Sequence, residues 1–316
     1  MLGLIRKLIS KPVKFNARTI CIGNATVGGT GKTQMVIKLA QAFTQRNINF
    51  IILCKGYGGK NTHYSLVTNT SSPYDVGDEA LELCEYGVTF SVPKISYAPE
   101  IIAKYKPDIV LIDDGMQNPN FIKDFVIMTV DGTRGFGNGF PIPAGPMRCR
   151  FDDIKADAII VVGGDVSNIF GRVKNKLNIF HAVIKPTRKS VGTRYYAFAG
   201  IGNPDKFFDT LKKAGADLAQ TKTFPDHYDY TQADILELFS AASALDAKLI
   251  TTRKDYVKIR HIFDEDQFDI MDFEREVVGA RSEQKPIISV LNINYLEIEL
   301  DIERFEYVAE MVLYKI

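Results

Sequence analysis

No stretch of this 316-residue sequence approaches the roughly 20 consecutive apolar residues that a membrane-spanning helix requires. Nor does it open on a signal peptide. The apolar start Met1-Leu-Gly-Leu-Ile5 is too short for an h-region, and no cleavage site follows it. The chain is therefore expected to stay in the cytoplasm. Cysteine is scarce: Cys21, Cys54, Cys84 and Cys149 are too scattered for a zinc knuckle or a CxxC redox pair. The first three sit beside apolar stretches and are expected as buried thiols. Net charge is nearly absent, with 39 Lys+Arg against 38 Asp+Glu, so no global field favours nucleic acid. Internal repeats and low-complexity tracts are missing as well. The remaining composition, 46% hydrophobic and 24% charged, excludes a disordered chain. The length suits two domains of ordinary size or one large one.

The charge that is present is placed unevenly. Arg6, Lys7, Lys11, Lys14 and Arg18 lie in the first twenty residues with no acid, whereas Asp264 to Glu276 is strongly acidic. The segment from Leu2 to Lys11 is basic and amphipathic, a pattern suited to an anionic membrane surface. A frayed terminus with ordinary charges is the plainer reading of the same residues.

Strand-like and helical periods alternate from the start, which predicts an α/β fold with a largely parallel sheet. Strands are expected at Arg18 to Ala25, Ile48 to Cys54, Ile109 to Ile112, Phe125 to Val130 and Ala158 to Val162. A helix is expected from Lys32, where Met35, Val36, Leu39, Ala40 and Phe43 recur on one face, and another over Asp78 to Tyr86. From Arg134 to Pro146, seven of thirteen residues are Gly or Pro, a density that forbids a regular element and implies a shaped loop. After Lys185-Pro186 the alternation restarts, with strands at Tyr195 to Gly200, Leu218 to Phe224 and Lys248 to Thr252. Helices at Asp205 to Lys213 and Gln232 to Ala244 lie between them. The expected division is a P-loop NTPase-like core over residues 1–186 and a smaller α/β domain over residues 187–316.

The strongest local signal is the run Thr26, Val27, Gly28, Gly29, Thr30, Gly31, Lys32 and Thr33, which follows a strand and opens a helix. Such a loop turns backbone N–H groups toward phosphate oxygens, and glycine permits the tight turn and close approach. Lys32 would reach the β- and γ-phosphates, and the Thr33 hydroxyl would ligate Mg²⁺. A P-loop also needs a carboxylate near the metal, and the apolar strand ending in Asp113-Asp114 supplies a pair. ATP and Mg²⁺ binding follow from this pattern; the phosphoryl acceptor does not, because P-loops serve kinases, GTPases and assembly ATPases alike.

Eight motifs in order narrow the choice. They are Gly23-Asn-Ala-Thr-Val-Gly-Gly-Thr-Gly-Lys-Thr33, Gly56-Tyr-Gly58, Gly77-Asp-Glu79, Asp113-Asp-Gly-Met-Gln117, and Phe136-Gly-Asn-Gly139 with Pro143-Ala-Gly-Pro-Met-Arg148. The rest are Ala197-Phe-Ala-Gly-Ile-Gly-Asn-Pro204, Phe224-Pro-Asp-His227 and Thr252-Arg-Lys-Asp255. With these the sequence resembles the tetraacyldisaccharide 4'-kinase family of lipid A biosynthesis over most of its length. That family carries Thr or Ser at the position of Thr26, where a P-loop usually begins with glycine.

The resemblance implies an enzyme at the inner face of the bacterial inner membrane. It would move the γ-phosphate of ATP to the 4'-hydroxyl of a tetraacylated glucosamine disaccharide 1-phosphate, giving lipid IVA. It also implies an active site in the cleft between the two domains. Carried over by position, Lys32 and Thr33 handle phosphates and metal, Asp113 and Asp114 stand at the metal end, and Arg148 faces the phosphates. Gln117 matches a motif glutamine whose role the resemblance leaves open, and it is grouped with the expected nucleotide-binding residues. Asp78 matches the candidate base for the sugar hydroxyl, and His227 the histidine that pairs with it. Local sequence alone assigns plainer roles: a helix N-cap for Asp78, a loop histidine for His227 and a surface cation for Arg148.

Departures from the family pattern are few. Cys149 stands where the family usually has Glu, so metal binding is expected to lean on Asp113, Asp114 and water. Gly59 and Arg253 replace the usual Arg and Glu, and a longer apolar N-terminal stretch is absent. Two other readings compete with a lipid kinase: a P-loop ATPase switch or assembly protein, and an inactive binding protein. A kinase needs a base set against an alcohol, whereas a switch needs an activated water and a mobile partner.

Overall fold

The computed structural model describes residues 11–150, 153–173, 178–264 and 293–314. The basic segment ahead of Lys11 and the acidic stretch beyond Asp264 lie outside the described residues.

In chain order the first part contains β1 (Arg18–Asn24), α1 (Lys32–Gln45), β2 (Phe50–Cys54), β3 (Ser65–Val67), α2 (Pro73–Val76), α3 (Asp78–Leu83) and β4 (Thr89–Ser91). It continues with α4 (Ala98–Tyr105), β5 (Ile109–Asp113), β6 (Phe125–Asp131), β7 (Ala158–Val162), α5 (Ile169–Val173) and β8 (Asn178–Pro186). Next come β9 (Arg194–Ala199), α6 (Pro204–Lys213), β10 (Asp217–Thr223), α7 (Gln232–Ala244), β11 (Lys248–Thr252), α8 (Arg253–Asp264) and β12 (Ile293–Leu296). Last are β13 (Ile298–Ile302) and α9 (Phe305–Tyr314).

The first unit comprises Met1–Lys185 and Glu299–Ile316. Its nine-stranded sheet runs β13-β8-β7-β6-β1-β5-β2-β4-β3. The pairings from β8 through to β4 are all parallel, and β3 runs antiparallel to β4. Strands β5, β6 and β7 are buried at every residue, which is why they read as unbroken apolar runs rather than alternating ones. The expected largely parallel α/β core is borne out. In α1, Met35, Val36, Leu39, Ala40 and Phe43 are all buried, as their spacing predicts.

The second unit, Pro186–Ile298, has a four-stranded parallel sheet in the order β10-β9-β11-β12. Its core gathers Tyr196, Phe198, Tyr230, Ile235 and Leu238 around β9 and α7.

One boundary differs from expectation. The second domain was expected to run from 187 to 316, but β13 lies beside β8 in the large sheet. Beyond it, the Arg18 guanidinium donates to the carbonyl of Val312 in α9 at 2.8 Å. A short edge strand carries no local mark of which sheet it joins, so alternation along the sequence placed it with its nearest neighbours. Cys21 and Cys54 are buried free thiols, as expected, whereas Cys84 is only half-buried.

Candidate active site

Strand β1 lies between β5 and β6, all three parallel, so their carboxyl ends share one edge of the sheet. Ligands of open α/β sheets bind at that edge. The loop from Ala25 to Gly31 leaves β1 there and enters α1 through Gly31, a left-handed N-cap at φ 88°. No side chain caps this helix and no acid occupies its first turn, so its leading N–H groups face outward under the positive end of the helix dipole. Lys32 and Thr33 are its first two residues. Beneath the loop, the Thr30 hydroxyl meets the Thr129 hydroxyl of β6 at 2.8 Å, and both are buried.

Asn24, at the end of β1, was missed as a site residue although it lies inside a quoted motif. Its side-chain amide donates to the Gly28 carbonyl at 3.3 Å, bracing the loop. Gln117 donates to the Asn24 carbonyl at 2.6 Å, so in this structure it braces the same strand end. The turn bearing Gln117 presses so close that a Cβ on Gly23 would stand 2.4 Å from Cβ of Met116, which only glycine allows.

Asp113 ends β5 with 3% exposure, and among the described residues neither carboxylate oxygen has a hydrogen-bond partner. Burial, and after it the Glu79 carboxylate, pushes Asp113 up to about 8, against the pull of Lys32. Glu79 is thus near enough for its charge to act on Asp113. Asp114 follows at φ 55°, an uncommon conformation for a side-chain-bearing residue. Its carboxylate accepts from Nη1 of Arg148 at 2.9 and 2.8 Å and lies 3.9 Å from Nζ of Lys32.

Arg148 reaches Asp114 because the Gly/Pro-rich loop docks onto the phosphate loop. The Arg148 amide donates to the Ala25 carbonyl at 2.7 Å, and the Val27 amide donates to the Pro146 carbonyl at 3.0 Å. Phe136 and Met147, both buried, fasten the loop to a cluster with Met128 and Val130. Val27, expected with the nucleotide site, has its amide engaged by this loop. Thr26 is buried and bridges to Met147, while Gly28 and Gly29 keep the open part of the turn.

The Gly56-Tyr-Gly58 and Gly77-Asp-Glu79 motifs touch each other. A Cβ on Gly77 would lie 2.6 Å from the Tyr57 carbonyl oxygen, so the two turns pack backbone to backbone. Asp78 is 5% exposed, and its Oδ1 accepts from the Glu79 amide at 2.9 Å. The helix N-cap is Gly77 at φ 85°, not Asp78, because the chain turns into α3 through a conformation closed to most side chains.

In the second unit three motifs meet at the carboxyl edge of the small sheet. His227 sits at φ 59°, its amide donating to the Gly200 carbonyl at 3.2 Å. Nζ of Lys254 stands 3.3 Å from its Nε2. Asp255, fully buried, accepts from the Gly200 amide at 3.0 Å and from the Thr252 hydroxyl at 2.7 Å, and pairs with Lys258 at 3.2 Å. A buried carboxylate this well bonded holds its surroundings in one arrangement. Asp255, like Asn24, was legible only as part of a motif.

The donors fit Mg²⁺. An orphaned buried carboxylate, a second carboxylate beside it and the Thr33 hydroxyl are hard oxygen donors. Among the described residues no cluster of three or more His, Cys, Asp or Glu is arranged to hold a metal alone. Mg²⁺ characteristically uses one or two carboxylates and completes its shell with phosphates and water.

Comparison with known proteins places the chain in a family. The sequence model of the family Tetraacyldisaccharide-1-P 4'-kinase matches residues 2–292. A tetraacyldisaccharide 4'-kinase of Rickettsia canadensis (strain McKiel) is 44% identical over 269 residues, covering 83% of this chain and 82% of that protein. One from Rickettsia africae (strain ESF-5) is 42% identical over 267 residues, covering 83% of each. The crystal structure of the "apo" form of LpxK from Aquifex aeolicus in complex with ATP superposes with a TM-score of 0.69 at 21% identity. It covers 99% of this chain and 93% of that one, a likeness of fold.

Proposed function

The chain belongs to the tetraacyldisaccharide-1-phosphate 4'-kinase family, and on that premise we propose how its residues divide the work of the reaction. The chain is an ATP-dependent kinase of lipid A biosynthesis, acting on the 4'-hydroxyl of tetraacyldisaccharide 1-phosphate. The observation that carries the residue assignment is the convergence of Lys32, Arg148 and Asp114 above the unpartnered Asp113.

The amides opening α1 and the Lys32 ammonium hold the ATP phosphates. Thr33, Asp113 and Asp114 would hold Mg²⁺, which supplies positive charge against the phosphoryl group in transfer. Until ATP arrives, Asp114 keeps the cations of Lys32 and Arg148 in place. The phosphates then compete for both, and the guanidinium offers them paired N–H donors. Asp78 takes the proton of the sugar hydroxyl, and His227 supports that transfer.

The acceptor is a lipid, and the Gly/Pro-rich loop that carries Arg148 exposes Phe140 and Ile142, 60% and 56% accessible. We assign these two side chains to contact with acyl chains or the bilayer face. Among the described residues no helix is long and apolar enough to cross a membrane. Peripheral attachment at the cytoplasmic face, aided by the basic segment from Leu2 to Lys11, is part of the same proposal. Purified protein incubated with Mg-ATP and tetraacyldisaccharide 1-phosphate, with the lipids then separated, tests the assignment. ATP turnover independent of the glycolipid would overturn it in favour of an ATPase switch.

A further inference from the structure

Lys32 and Arg148 both lean on Asp114, but a third cation borders the phosphate loop and, among the described residues, pairs with no carboxylate. Arg134 begins the Gly/Pro-rich loop just after β6, the strand beside β1. Its backbone is tied down. The amides of Thr133 and Arg134 donate to Oδ1 of the buried Asp131 at 2.9 and 3.4 Å, and the Gly135 amide donates to the Asp131 carbonyl at 2.7 Å. The Gly137 amide closes the turn onto the Arg134 carbonyl at 3.1 Å.

From this fixed base the guanidinium reaches back over the phosphate loop. A Cβ built on Gly28 would lie 3.5 Å from Nη1 of Arg134. Gly28 stands at φ 101°, where the missing side chain leaves the guanidinium room to lie against the loop. Arg134 is exposed, and among the described residues no ion pair or side-chain hydrogen bond engages it. An exposed arginine with no partner ordinarily points into water. This one lies close to the Gly28 limb of the loop, four residues ahead of Lys32.

We propose that Arg134 contacts the terminal phosphate of ATP from the β1 side of the phosphate loop. The amides at the start of α1 cradle the inner phosphates and Lys32 spans the outer two, so the Gly28 limb borders the end of the triphosphate chain. A guanidinium there presents paired N–H donors to phosphate oxygens and offsets charge as the phosphoryl group leaves. No step of the transfer changes; a charge-stabilising contact is added to it. The inference rests on the assignment of Thr26 to Thr33 as the nucleotide site.

The test is calorimetric titration of the full chain with Mg²⁺ and either a non-hydrolysable ATP analogue or ADP, for the unaltered protein, R134A and R134K. Thermal unfolding accompanies each, with R134Q in reserve should R134A not fold. Loss of a charge-assisted contact should weaken the ATP analogue about tenfold or more in R134A. ADP should lose less than about threefold, and R134K should recover part of the difference. Equal losses for both nucleotides, or none, would overturn the inference and leave the nucleotide site standing. Failure of the unaltered chain to bind the analogue would overturn the nucleotide site itself, and this inference with it.

Discussion

Arg148 and Asp114 lie 34 residues apart in sequence, yet Nη1 of the arginine donates to both carboxylate oxygens, at 2.9 and 2.8 Å. Each side chain is 29% exposed. A pair so accessible contributes only about 0–1 kcal/mol to stability. Its value lies in holding a guanidinium, by a carboxylate at φ 55°, beside the loop that receives phosphates.

Asp114→Asn should therefore damage activity more than folding. Turnover should fall by about two orders of magnitude, since the change removes a metal-facing charge and frees the arginine. The unfolding midpoint should stay close to that of the unaltered chain. Steady-state kinetics beside a thermal melt checks this, and a large drop in stability with turnover retained would make the pair structural.

Lys32→Ala removes the cation expected between the outer phosphates. Turnover should drop at least about a hundredfold, because electrostatic stabilisation dominates phosphoryl transfer. The side chain is 12% exposed and stands 3.9 Å from the Asp114 carboxylate, too far for a strong ion pair, so folding should be little changed. Near-normal turnover would sink the ATP-site assignment.

Asp78→Ala and His227→Ala should each depress kcat strongly and leave ATP affinity nearly intact. If both serve one proton transfer, the double variant should be little worse than the worse single one. Losses that multiply would show independent roles. Because Asp78 is not the N-cap of its helix, its replacement should cost little stability by way of capping. A melt separates that effect from the kinetic one.

Stability should carry a pH signature from α7. Asp234 accepts from the Thr231 amide at 2.8 Å and its hydroxyl at 2.6 Å, while the Thr231 hydroxyl receives the Asp234 amide. These bonds hold the Asp234 carboxyl below its usual 3.8. A depressed folded-state value means the contribution is complete above the ordinary Asp range and is lost as pH falls through the folded value. Asp234→Ala should cost about 1 kcal/mol near pH 7. Denaturant titrations at descending pH should show the gap closing below pH 3.8; a gap that widens on acidification would contradict the assignment.

The sequence by itself determined the phosphate loop, the apolar strands that flank it and the carboxylate pair ending β5. Each of these depends on neighbours within one strand–turn–helix, where glycine spacing and apolar period carry the information. Only the tertiary structure decided that Arg148 would find Asp114, that the Val27 amide would bond Pro146, and that Asp255 would brace the His227 turn. It also returned Glu299–Ile316 to the first unit and laid Arg134 over Gly28. These relations depend on strand order. With β1 seated between β5 and β6, three loops remote in sequence leave the sheet at one edge, and no local pattern encodes which strands will be neighbours.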